Sequence, residues 1–71
     1  MSQLSVHLER TQEQSSEWKI RKINGIEQPQ WYNGPGYPSL DAYCTDEVKR
    51  GLWRGSSVDY GEHEAFITFW S

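Results

Sequence analysis

Apolar and polar residues alternate from the start of the chain. Leu4, Val6 and Leu8 interleave with Gln3, Ser5, His7 and Glu9, the period-two pattern of a strand with one buried and one wet face. Residues 11–17 are wholly polar and too short and unpatterned for a helix, so they predict a connecting loop. Two further runs, residues 18–23 and 26–32, flank Asn24-Gly25. That dipeptide suits a two-residue type I′ turn, because both positions accept positive φ.

Extending the turn as a ladder pairs Ile23 with Ile26, Lys22 with Glu27, Arg21 with Gln28, Ile20 with Pro29, Lys19 with Gln30 and Trp18 with Trp31. Lys22 and Glu27 are then a cross-strand ion pair, and Trp18 and Trp31 a cross-strand aromatic pair. Pro29 has no N–H to donate, so it is expected in a non-hydrogen-bonded position of an edge strand. Residues 33–38, Asn-Gly-Pro-Gly-Tyr-Pro, are turn formers and predict a loop or bend.

From Ser39 the period changes. Leu40, Tyr43, Cys44, Glu47, Val48, Gly51 and Leu52 recur at three- and four-residue spacings, one stripe of a helix with Glu47 and Gly51 as its weak members. Ser39 is the expected N-cap, Asp41 suits the first turn, Lys49 and Arg50 suit the last, and Gly51 or Gly55 can end it. Residues 56–60 suit a short strand or a turn. Glu64 to Trp70 is almost continuously apolar, as expected of a central strand covered on both faces or flanked on both sides. The result is an α+β fold, a single domain over residues 1–71. Its antiparallel sheet of three to five strands begins with an N-terminal meander, carries one helix on a face and follows the order β-β-β-α-(β)-β.

Composition adds weight to the aromatic residues. A chain of 71 residues buries a modest share of its surface, yet this one holds four Trp, four Tyr and two Phe. Such rings complete a small core or, when left outside, anchor a partner. The stretch from Trp31 to Pro38 concentrates them, and Tyr32, Tyr37, Trp53 and Arg54 join Trp31 as expected anchors. Acidic residues Asp46, Glu47, Asp59 and Glu62 form a surface suited to steering toward a basic partner. Net charge is −3, which disfavours general attraction to nucleic acid or an anionic membrane.

The sequence offers no catalytic constellation. Cys44 lies on the helix stripe, and the only two histidines, His7 and His63, fall on different predicted strands, so no nucleophile and base are brought together by spacing. Glu62-His63-Glu64 concentrates three possible ligands, but adjacent side chains of an extended segment point to opposite faces and no second histidine or cysteine stands at zinc spacing; no metal is expected. The glycines of residues 33–36 are interrupted by proline and followed by no Gly-Lys-Ser or Gly-Lys-Thr, so this is no phosphate loop and no cofactor is implied. A single cysteine and the lack of any apolar leader point to a reducing, cytoplasmic location.

The expected function is therefore non-enzymatic: a small acidic module that binds another protein, such as a nucleic-acid-binding complex, and inhibits or regulates it. Self-association into a homo-oligomer is open to so small a core. Small acidic stand-alone domains of this type occur among phage and mobile-element inhibitors of bacterial defence systems, anti-CRISPR proteins included; that likeness is one of type and carries no shared motif. The alternative is a single-stranded nucleic-acid binder using Lys19, Arg21 and Lys22 with the neighbouring aromatics.

Overall fold

The computed structural model describes residues 2–10, 17–34 and 36–71. Its first strand, β1 (Gln3–Glu9), directs Leu4, Val6 and Leu8 to one face and Ser5, His7 and Glu9 to the other, as the alternation predicts. β2 (Trp18–Ile23) and β3 (Ile26–Glu27) close the hairpin. Asn24 and Gly25 have φ of 52° and 81°, the doubly positive pair of the expected turn. Lys22 pairs with Glu27 and Ile23 with Ile26, and the Gln28 N–H donates to the Arg21 carbonyl at 2.8 Å.

The ladder then stops. Trp18 does not meet Trp31: it pairs with Tyr37 of β4 (Gly36–Tyr37), and Lys19 pairs with Gly36. Gln30 takes a left-handed φ of 56° and Trp31–Asn33 winds into a 3₁₀ turn. Pro29 thus marks where the chain leaves the sheet rather than a position in an extended edge strand. The chain then returns as β4 to the β2 edge that β3 left bare. This return, inside a stretch expected to be loop, makes the sheet six-stranded instead of three- to five-stranded. The predicted loop at residues 11–17 lies outside the described residues except for Glu17.

Helix α1 (Leu40–Gly51) begins where the sequence places it. The Ser39 side chain accepts from the Ala42 N–H at 3.1 Å, and Asp41, Lys49 and Arg50 occupy the expected turns. It ends differently. The left-handed cap is Leu52, φ 54°, whose N–H donates to the Val48 carbonyl. Leu52 is 82 % exposed and does not join the buried stripe. Gly51 serves another purpose, since a Cβ there would lie 2.2 Å from the indole Nε1 of Trp53. Gly55 likewise makes room for the Trp70 ring, 2.6 Å from the place of its Cβ.

The segment at residues 56–60, suited to a short strand or a turn, is a strand. β5 (Gly55–Tyr60) pairs with β6 (Glu64–Trp70), and the sheet runs β3-β2-β1-β6-β5 with β4 beside β2, antiparallel throughout. β6 is flanked on both sides, by β1 and β5, but covered on one face alone. Ala65, Ile67 and Phe69 are buried together with Val6, Leu8, Trp18 and Tyr43, while Leu40, Cys44, Val48 and Trp53 pack around them. Its alternate residues Phe66 and Trp70 face away from the helix. The near-continuous apolar run reflects a buried half and a half that α1 does not cover.

Candidate functional site

The side of the sheet opposite α1 carries the most unusual chemistry of the described residues. Register fixes its members: His7 lies opposite Phe66, Glu9 opposite Glu64, and Ser5 opposite Thr68 between β1 and β6. On the β5 side Asp59 neighbours Phe66, and Gly55 neighbours Trp70. Phe66 is 52 % exposed in the middle of this face. Its ring lies flat on the His7 imidazole, with centroids 4.4 Å apart and planes 7° from parallel. A shallow depression of about 510 Å³ covers the pair, bordered by Ser5, Lys22, Glu64 and Thr68.

A bulge sets the other half of the face. Between His7 and Leu8 the β1–β2 register shifts, so that His7 meets Lys22 and Leu8 meets Ile20. Arg21 is the extra residue, and the bulge turns it toward the same side as its neighbour Lys22. Its guanidinium contacts Glu9 at 3.1 Å and Glu27 at 3.3 Å and lies 5.2 Å from the centre of the Trp31 ring. The Lys19 ammonium donates to the Tyr32 carbonyl. Of Lys19, Arg21 and Lys22, the cations of the nucleic-acid alternative, Arg21 and Lys19 are thus both engaged.

The His7 Nε2 atom is buried and has no hydrogen-bond partner among the described residues. It stands 3.6 Å from a Glu9 oxygen and 3.5 Å from a Glu64 oxygen. These three donor atoms lie within 4.8 Å of one another. The acidic run Glu62-His63-Glu64 is thus divided: Glu64 joins the face, while Glu62 and His63 sit exposed in the β5–β6 turn, where the Glu62 carbonyl accepts from Arg10. His7 and Glu9 share a face because they are two apart on a strand. Their meeting with Glu64 depends on β1 pairing with β6, 55 residues further on from Glu9, and no local pattern announces that.

The expected anchors separate into two groups. Tyr37 packs on Tyr43 with ring centres 4.9 Å apart, and Trp53 stacks on Phe69 at 6.2 Å and donates to Glu47 at 3.2 Å. Both rings fill the margin of the core. Tyr32 and Arg54 are exposed, and Trp31 is half-buried beside Arg21. Asp46 and Glu47 are each held 3.1 Å from Arg50 on α1, so they lie on the helix side, apart from Asp59 and Glu62. Phe66 and Trp70, which no motif singled out, are the large rings that β6 presents on the side opposite α1.

Cys44 is half-buried against the core, and burial, with a smaller contribution from Asp41, pushes its thiol above the ordinary range. That favours the protonated, unreactive form. Among the described residues no helix is long and apolar enough to cross a membrane. No family model, curated protein or solved structure matches the chain.

Proposed function

We propose that the chain is a non-enzymatic protein-binding module, a small acidic inhibitor or regulator, which docks through the sheet face opposite α1. The observation that carries this reading is Phe66: a large ring, half exposed at mid-sheet and held flat by His7. Full burial of an exposed ring of this kind is worth roughly 1.5–3 kcal/mol, of which about half remains to be gained by covering Phe66. The stacked neighbour limits the side-chain freedom lost on docking. Trp70, 41 % exposed, extends the apolar surface along β6.

The charged border supports a protein partner over a nucleic acid. Phosphate recognition needs cations free to replace counterions, whereas Arg21 already bridges Glu9 and Glu27. Asp59, Glu62 and Glu64 border the other end of the face near the β5–β6 turn. Carboxylates there steer toward a partner carrying basic groups.

The test is capture from the native host with the wild-type chain, Phe66→Ala, Trp70→Ala and Leu52→Ala as baits, each first checked for folding by circular dichroism. A protein retained by wild type and Leu52→Ala but lost with Phe66→Ala is the expected result. A partner held equally by Phe66→Ala overturns the assigned face. Oligonucleotide binding that collapses with salt would replace the reading with the nucleic-acid alternative.

A further inference from the structure

We propose that His7, Glu9 and Glu64 form a zinc-class divalent-cation site on the open sheet face, independent of any protein partner. Three observations lead to it. Glu9 and Glu64 are directly opposite each other on adjacent antiparallel strands, a like-charge arrangement that is destabilising and that Arg21 offsets at Glu9 alone. The His7 Nε2 is buried at that point with no hydrogen-bond partner, although buried polar atoms are nearly always satisfied. Glu64 has no Lys or Arg partner among the described residues; its single ion-pair contact is His7.

The spacing fits a metal better than it fits hydrogen bonds. Nε2 is 3.6 Å and 3.5 Å from the two carboxylate oxygens, beyond the usual range of about 2.7–3.2 Å for N–H···O. Zinc binds imidazole nitrogen and carboxylate oxygen at about 2.0–2.2 Å, so two donors at a tetrahedral angle stand about 3.4 Å apart. Nε2 already stands at nearly that separation from each carboxylate oxygen, and the three donors lie within 4.8 Å of one another. One imidazole and two carboxylates leave the fourth position for water or an incoming group.

The surroundings fix the donors. Phe66 stacks on the imidazole and limits its rotation. Arg21 contacts both Glu9 oxygens, at 3.2 Å and 3.1 Å, so it can keep one while the other turns to the ion and thereby orients the ligand. Magnesium is disfavoured because it demands near-octahedral oxygen coordination.

Isothermal titration of the untagged full chain with zinc chloride, after chelator treatment, tests the site. One zinc per chain is expected, and cobalt(II) should give the visible d–d absorption of a four-coordinate nitrogen and oxygen site. Glu64→Gln, at an exposed position, and His7→Gln should each weaken zinc binding roughly tenfold or more, with unchanged circular dichroism. His63→Ala should leave it intact. Absence of saturable binding, loss on His63→Ala, or unchanged affinity in folded Glu64→Gln would each overturn the site. So would equal competition by magnesium. Because the titration uses the isolated chain, its outcome is separate from that of the partner-capture experiment.

Discussion

Asn24 grips Ser5 twice: its backbone N–H donates to the Ser5 carbonyl at 2.7 Å, and its side-chain Oδ1 accepts from the Ser5 N–H at 2.9 Å. The turn that closes one hairpin is thereby fastened to the neighbouring strand β1. Asn24→Gly keeps the positive φ and loses the side-chain acceptor, which should lower stability by about 0.5–1.5 kcal/mol. Asn24→Ala loses the same bond and adds left-handed backbone strain of about 1 kcal/mol. Urea denaturation should rank wild type above Asn24→Gly and Asn24→Gly above Asn24→Ala.

Leu52 caps α1 at φ 54° while 82 % exposed. Its side chain returns little burial for a conformation that glycine adopts freely. Leu52→Gly should therefore raise stability by about 1 kcal/mol, seen as a higher urea midpoint with unchanged slope.

Gly51 gives the opposite sign. In an ordinary helix interior, alanine is favoured over glycine by about 1 kcal/mol. Here the added methyl would meet the Trp53 indole at 2.2 Å. The ring would have to leave its stack on Phe69 and its bond to Glu47. Gly51→Ala should destabilise by about 1–3 kcal/mol, with a change in Trp fluorescence.

Alkaline pH should loosen the core. Burial, then the Glu47 charge, raises the Tyr43 phenol well above its ordinary 10.0, and burial raises the Cys44 thiol above 9.0. For both, the folded chain holds the proton more tightly than the unfolded chain. The stability this supplies is complete below the ordinary values and is lost as pH rises toward the folded ones. The melting temperature should be flat to about pH 8 and fall above pH 9. Tyr43→Phe should make that fall shallower.

Local patterns carried most of the fold into view. The alternation of Leu4, Val6 and Leu8, the Asn24-Gly25 turn and the Ser39 cap all act over a few residues, so their physics is complete within the sequence around them. Trp18 went to Tyr37 and not Trp31 because the left-handed Gln30 and the following 3₁₀ turn redirect the chain, and neither has a strong signature of its own. The face built on His7 and Phe66 was hidden for a different reason. Residues 64–70 read as continuously apolar, and only strand pairing and the placement of α1 show which alternate rings are buried. The anchors expected near Trp31 were found by composition, which registers a ring but not the side on which it lands.

β1 lies between the second strand and the last, with Leu4 opposite Phe69 and Val6 opposite Ile67. Such pairing closes a loop that takes in nearly the whole chain, and loop closure of that span precedes any reward in contacts. The hairpin and the helix can form early on local information, but the sheet's middle cannot be assembled until β6 is available. On a ribosome, the first strand must wait exposed for its partner while all the intervening residues are made. Folding of this chain should be late, cooperative and paced by topology.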